Sequence, residues 1–533
     1  MGDPLFNHEY EEVRIERGLL KPTLQITFFS IIGIIVIFFT QVILAAKFGA
    51  KIEMDSYFAA SVVPQFITAV FLSALNVTFI PIFIKYETKK NKDKAWRVAS
   101  ITTNLTFVIL FAMSFLGFIL APRLISLTAP GFKGESFLLT VYLVRIILPS
   151  IIFSGLNSIL SSIYYAHHKF FKPSIAPVIN GIVILSFVIL FEPFLGIKSV
   201  AFGTLVGSIV SFSVLIPIFL KRKRYILSFD FSNEGVIQII KVMSPLVFAG
   251  LFYRATTLIE RIIASTLPEG SISYLGYSNR IITTLVMITV SGISVAIFPL
   301  MSKAWAENDL ARVREYFAKG VRIIMLIAFP IAVIFAVLNV PIIQIFLERG
   351  RFDHTTTLAV ANVVLIELVI FVCGGLGGVI GKGFYIAQKT WLLAFLGITQ
   401  TLIYIGYAYI LARHFSYIGL AAASSMYSFF PIIINIWIMR KLYNGINGKK
   451  IFDGFIKVSG ASLTCMLIIH LSNGLTPFQN LVANTAMAGL IGALSYLLLI
   501  TYFFKMDEAV ELKAKIFRRC FNIVPIKTNT KHY

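Results

Sequence analysis

Apolar windows of about 20 residues recur from one end of the chain to the other, each long enough to cross a hydrocarbon core of about 30 Å at 1.5 Å per helical residue. Runs this long and this uniform are not the alternating strands of a membrane barrel, and an aqueous globule could not hide so many of them. The expectation is an all-α polytopic membrane protein. Its spans fall near 24–46, 55–84, 99–121, 137–165, 173–195, 199–220, 237–262, 272–302, 319–345, 356–386, 390–411, 417–440, 455–471 and 480–504, about fourteen in all.

The chain carries a net charge of +22, which raises nucleic acid as a partner until the charge is placed along the sequence. Assigning the N-terminus and alternate loops to one side puts about 35 Lys and Arg there and about 8 on the other. That asymmetry is the positive-inside pattern. The basic clusters "KYETKKNKDKAWR", "KRKR", "RKLYNGINGKK" and "KAKIFRR" are therefore expected in the cytoplasm against lipid headgroups, with both termini on that side, and nucleic acid is excluded as a partner. Residues 1–23 are polar and of mixed charge, so they read as a cytoplasmic segment and not as a cleavable signal. Cys373, Cys465 and Cys520 are too scattered for a disulfide framework or a metal set, and no cofactor is expected.

An internal repeat organises the spans. At a shift of 218 residues "VTFIPIFIK" lies over "VAIFPLMSK", matching Pro81 with Pro299 and Lys85 with Lys303. At a shift of about 220, Gly155, Leu156, Tyr165 and Lys169 fall on Gly375, Leu376, Tyr385 and Lys389. A duplicated unit of six helices returns to the side it began on, so the copies are expected as parallel lobes facing each other across a central cavity. The expected division is 1–23, an N-lobe at 24–220, a basic linker at 221–241, a C-lobe at 242–440, two further helices at 441–504 and a basic tail at 505–533.

Four arginines, Arg145, Arg254, Arg261 and Arg280, remain inside predicted spans. An arginine at the bilayer centre costs at least about 2.5 kcal/mol, so none should face lipid unpaired. Arg280 sits roughly 12 Å from the outer end of its helix, too deep for easy snorkelling. Two readings stand: a fixed ion pair, with Asp55 as the partner, or a cavity-lining contact to an anionic substrate, since a planar guanidinium suits phosphate oxygens. Arg254 is deep enough to pair with a neighbouring helix or to line the cavity. Arg145, just before "IILP", fits a cavity residue or a structural anchor. Glu260 and Arg261 read as interfacial, with Arg261 snorkelling outward. Glu367 in "VVLIELVIF" is protonated, paired, or part of an ion-coupling path. The glycine run "GGLGGVIGKGF" follows an apolar helix instead of a strand, so it reads as close helix packing or a hinge and not a phosphate loop. His167 and His168 read as solvated residues of a cytoplasmic turn. No catalytic constellation appears.

The ordered set "LPEGSISYLGYSNRI", "SGISVAIFPLMSKAWAENDL", "FPIAVIFAVLNVPIIQIFLERGRFD" and "GKGFYIAQKTW", preceded by "FGAKIEMDSYFAASVVPQF", "FIPIFIKYE" and "LTAPGF", resembles the MurJ/MviN family of lipid II flippases in the MOP exporter superfamily over nearly the whole chain. The resemblance implies fourteen helices in two lobes plus two C-terminal helices, in a bacterial inner membrane. It also implies transport of an undecaprenyl-pyrophosphate-linked glycan from the inner to the outer leaflet by alternating access, driven by membrane potential or a monovalent ion, with cell-envelope biosynthesis proteins as possible partners. By position, Asp55 matches the acidic residue of the family's "DAFF" motif, Arg145 a basic residue before its proline, and Arg280 the cavity arginine of its "YADR" motif. Where the family has arginines in its first two helices this chain has Ile34, Thr40, Thr68 and Ala69, and "RIPN" reads "VVPQ". The expected substrate is therefore lipid II or a related surface-polysaccharide precursor, bound by Arg280, Asp55, Arg145 and Arg254. A cation-coupled small-molecule exporter of the same superfamily and a membrane glycan polymerase or ligase are the alternatives.

Overall fold

The computed structural model describes residues 4–88, 92–220, 225–473 and 480–520, and the regular elements among them are all helical. In chain order these are α1 (Pro4–Phe48), α2 (Ile52–Thr88), α3 (Lys92–Ile119), α4 (Ala121–Thr128), α5 (Gly134–Ile147), α6 (Ser150–Ala166), α7 (Phe171–Leu195), α8 (Lys198–Leu215), α9 (Pro217–Leu220), α10 (Glu234–Ala264), α11 (Ser271–Ala306), α12 (Leu310–Val337), α13 (Asn339–Leu347), α14 (His354–Ile386), α15 (Thr390–Leu442), α16 (Gly448–Asn473), α17 (Leu481–Leu498) with a π-helical turn at Leu499–Phe503, and α18 (Asp507–Cys520).

Among the described residues, twelve helical stretches are long and apolar enough to cross a membrane. One of these, Trp391–Leu442, is 52 residues long, and Ser416 interrupts it with φ 54° and ψ −139°. A left-handed, non-helical residue there cuts α15 into two crossings, as the sequence places them at 390–411 and 417–440. The α11 helix, at 36 residues, is also longer than a crossing requires, so the fourteen expected spans each have a helix. Pro149 separates α5 from α6, whereas Pro64, Pro81, Pro245, Pro299 and Pro330 lie inside helices, where neighbouring elements tolerate the lost hydrogen bond. Helix starts carry side-chain caps: Asn233, Asp309 and Asn480 accept from Gly235, Arg312 and Val482 backbone N–H groups.

The chain forms two compact units. The first comprises Met1–Tyr277, Leu347–Thr356 and Gly397–Leu420. In it α2 packs on α5, α6 and α10, and α7 packs on α1 and α8. Its core joins Leu75, Phe79 and Phe83 of α2 to Trp96 of α3 and Ile163 of α6. His167, read from sequence as solvated, belongs to this core's edge: its ring lies against Phe83 and Trp96 and its Nε2 is 3.0 Å from Glu87. A short turn after α6 pulls the imidazole back over the preceding carbonyls, with Nδ1 2.8 Å from the Ile163 oxygen. On α3, Phe107, Phe111 and Phe115 stack one turn apart along an exposed face, an apolar stripe suited to acyl chains.

The second unit comprises Ser278–Phe346, Thr357–Leu396 and Ala421–Tyr533. Here α12 packs on α16 and α17, and Tyr496 Oη donates to the Leu326 carbonyl at 2.9 Å. Arg322 on α12 meets Glu508 at 2.5 Å and Lys319 meets Glu511 at 2.9 Å, fixing the start of α18 on this helix. Of the glycine run on α14, Gly383 is a close-packing position. Tyr443 Oη donates to the Gly383 carbonyl at 2.9 Å, and a methyl on Gly383 would come within 2.9 Å of the Met439 sulfur.

Candidate functional site

Asp55 stands in the first turn of α2 and is only 4% exposed. Its Oδ2 accepts from the Gly270 backbone N–H at 2.7 Å, and its Oδ1 accepts from the Ser273 N–H at 2.7 Å and the Ser273 hydroxyl at 2.5 Å. Those N–H groups belong to the start of α11, where a helix has donors without intrahelical partners and the positive end of its dipole. Asp55 thus caps a helix that begins more than two hundred residues later in the chain.

Arg261 corrects the sequence reading. It does not snorkel outward: it is 8% exposed, donates from Nη1 to the Ile272 carbonyl at 2.9 Å, and lies 5.7 Å over the Phe58 ring. A guanidinium with carbonyl and aromatic partners can be buried near a helix end without reaching for water.

The repeat explains why these groups meet. Asp55 and Ser273 are 218 residues apart, the shift that superposes the two copies. Phe58 and Gly276 share that shift, and a methyl on Gly276 would come within 2.7 Å of the Phe58 ring. These contacts join the first turns of α2 and α11 into one seam. Adjacent groups extend it. Tyr277 Oη donates to the Gly49 carbonyl at 2.8 Å and its ring meets those of Phe58 and Phe352. The Arg351 N–H donates to the Ala46 carbonyl at 2.8 Å, and its side chain approaches Glu53 at 3.5 Å. Gly49, at φ 61°, admits this strand of backbone, since a methyl there would lie 2.4 Å from the Arg351 carbonyl oxygen.

Arg280 lies seven residues after Ser273 and therefore on the same face of α11. It is half-buried, and its guanidinium makes no hydrogen bond or ion pair among the described residues. Of the two readings of Arg280, the structure gives it no fixed partner. Two residues earlier, Ser278 donates its hydroxyl at 2.5 Å to Glu367 on α14, which is 2% exposed. The structure thus brings Glu367 to the stretch of α11 that carries Arg280.

The remaining candidates fall elsewhere. Arg145 Nε donates at 3.2 Å to the Phe118 carbonyl, in the last turn of α3, with the guanidinium 5.2 Å over the Phe118 ring. A cation on terminal carbonyls is a helix C-cap, so Arg145 takes the anchoring option. Arg254 sits on α10 with its side chain exposed. Among the described residues, no three His, Cys, Asp or Glu side chains converge as a metal would require. The residues that sequence reasoning missed are Ser273, Gly276, Tyr277 and Arg261. Applying the repeat shift to Asp55 itself would have found the first of them.

The family model described as "Lipid II flippase MurJ" matches residues 44–489. A "Probable lipid II flippase MurJ" of Buchnera aphidicola subsp. Schizaphis graminum is 27% identical over 446 residues, covering 82% of this chain and 86% of the relative. Its counterpart in Vibrio cholerae serotype O1 is 23% identical over 516 residues, covering 92% and 97%. Among solved structures, "Lipid II flippase MurJ, inward closed conformation" has a TM-score of 0.77 at 24% identity, covering 94% of this chain and 100% of that one. An inward-facing multidrug resistance MATE family transporter of the MOP superfamily has a TM-score of 0.67 at 16% identity, covering 76% and 94%. At these identities the structural likeness speaks for the fold.

Proposed function

The chain belongs to the lipid II flippase MurJ family, and from that premise we propose that it moves a polyprenyl-diphosphate-linked glycan, lipid II or a closely related precursor, from the inner to the outer leaflet of a bacterial cytoplasmic membrane. It is a transporter, changing the leaflet of its substrate and no covalent bond in it. The observation that carries the reading is Arg280, a half-exposed guanidinium at membrane depth whose side chain has no protein partner among the described residues. Such a group is tolerable only if water or an anion meets it, and a diphosphate is an anion that a planar guanidinium can grip through two oxygens.

The seam supplies the second requirement, a closure that can be made and broken. On the proposed topology, with both termini in the cytoplasm, the first turns of α2 and α11 would lie at the outer face and their contacts would be the closure on that side. Opening outward means withdrawing the Asp55 carboxylate from Gly270 and Ser273 and parting Tyr277 from Gly49. Hydrogen bonds to a charged group contribute about 1.5 to 3 kcal/mol each, so the seal is strong enough to hold and weak enough for substrate binding to tip. The headgroup crosses between wet surfaces while the polyprenyl tail stays in lipid, which avoids desolvating a diphosphate in hydrocarbon. Glu367, bonded to Ser278 beside Arg280, is the residue through which a proton or monovalent cation would couple to this motion.

The test is leaflet transfer of a lipid-linked glycan in proteoliposomes containing only this protein. Transfer is expected with wild type and absent with Arg280→Ala, while Arg280→Lys retains part of it. Appearance of a polymerised or ligated product, or an unimpaired Arg280→Ala protein, would contradict the reading.

A further inference from the structure

The exposed positions of α2 include the polar residues Gln65, Ser73 and Asn76 beside the apolar Val77 and Ile84, whereas the exposed face of α3 in the same unit is the phenylalanine stripe Phe107, Phe111 and Phe115. Gln65 and Asn76 are eleven residues apart, which returns them to within about 20° of one helical face. Asn76 lies nine residues before Lys85, roughly 13 Å deeper along the helix than the first lysine of the basic cytoplasmic cluster. An exposed amide at that depth is costly against acyl chains, so this face of α2 meets water or a polar ligand.

The amide is oriented. Its Oδ1 accepts from the Ser158 hydroxyl at 2.5 Å and from the Ser162 hydroxyl at 3.0 Å, both on α6. Two donors fill the two lone pairs of the amide oxygen, and Nδ2 makes no hydrogen bond among the described residues. Asn76 consequently presents two N–H donors and no acceptor, held at a fixed angle by α6. A ligand group that answers such a surface is itself an acceptor, and the hydroxyls and amide carbonyls of a glycan are acceptors that need no countercharge.

We propose that Asn76, positioned by Ser158 and Ser162, is a substrate-binding residue that donates to uncharged acceptor oxygens, hydroxyl or amide carbonyl, of the carried glycan, leaving the diphosphate to Arg280. This rests on the function proposed above and names the part of the substrate that the first repeat recognises. The charge difference from the resemblance follows: where Thr68 and Ala69 stand on α2 in place of arginines, the helix offers neutral donors.

Two ligands separate the parts of the substrate: undecaprenyl diphosphate, and the same lipid diphosphate carrying an N-acetylated disaccharide. Binding of each to protein in nanodiscs is measured for wild type, Asn76→Ala, Asn76→Asp, Ser158→Ala with Ser162→Ala, and Arg280→Ala. Asn76→Ala is expected to weaken the glycan-bearing lipid about tenfold and leave the bare diphosphate lipid unchanged. Asn76→Asp, nearly isosteric but without donors, should lose at least as much. The double serine variant, in which the amide is free to turn, should lose a smaller factor on the glycan-bearing lipid alone. Arg280→Ala should weaken both ligands. Unchanged glycan affinity in Asn76→Ala and Asn76→Asp overturns the proposal, and equal loss on both ligands overturns the assignment to the glycan. Failure of wild type to bind either lipid strikes instead at the proposed function.

Discussion

The two repeat copies of one helix, α2 and α11, agree at one end and part company further along. In their first turns they use equivalent positions against each other: Asp55 on Ser273 and Phe58 on Gly276. One turn on, the equivalent of Arg280 at the same shift is Val62, which is 4% exposed in the protein core, while Arg280 is half-buried with no hydrogen bond or ion pair to its guanidinium among the described residues. The two copies thus match where they touch and differ at the position of Arg280.

The strongest challenge to this contrast is Arg280→Ala, for which leaflet transfer should fall by two orders of magnitude or more with expression and thermal stability unchanged, as expected when a charge-assisted contact is lost without disturbing packing. Wild-type transfer would leave the asymmetry without a purpose. Asp55→Ala removes three hydrogen bonds from the seam, so the closed form should lose at least about tenfold in population, the worth of one such bond alone. Labelling of a cysteine replacing the buried Ser271 should rise accordingly, and unchanged protection would mean that the seam is not what closes this end. Gly276→Ala tests the fit more finely. A methyl 2.7 Å from the Phe58 ring must displace it, so transfer should drop severalfold, and Phe58→Leu in the same protein should restore part of the loss. The smallest effect belongs to Arg145→Gln. Loss of a cap on the Phe118 carbonyl should lower stability by about 1 kcal/mol, read as a modest fall in melting temperature, with transfer retained. A transport defect without a stability defect would return Arg145 to the substrate path.

Much of the fold is legible because hydrocarbon imposes one rule on every segment: bury the backbone's polarity in a helix about 20 residues long. The helices under the expected crossings follow from local pattern, and even the break at Ser416 falls in the gap left between two apolar runs. Arg280 stood out because a lone charge deep in such a run has few explanations. Its expected partner did not emerge, since a carboxylate on the equivalent helix is a natural guess and the actual bonds of Asp55 go mostly to backbone N–H groups, which carry no residue signature. Arg261 was misplaced for a related reason: a charge near a helix end looks interfacial unless the ring and carbonyl awaiting it, Phe58 and Ile272, are known to converge. His167 was misjudged because its partners Phe83, Glu87 and Trp96 come from two other helices.

The claim on which the rest turns is that the seam opens in every transport cycle. Glu53 and Arg351 flank it as an exposed pair, which contributes little to stability, so replacing both with cysteine in a background lacking the native cysteines should leave transfer intact. A short, reducible thiosulfonate linker across the two cysteines then locks the seam, and leaflet transfer is measured before and after reduction. Transfer should stop when the linker is in place and return when it is cleaved; transfer continuing at the unlinked rate would show that lipid crosses without this seam ever parting.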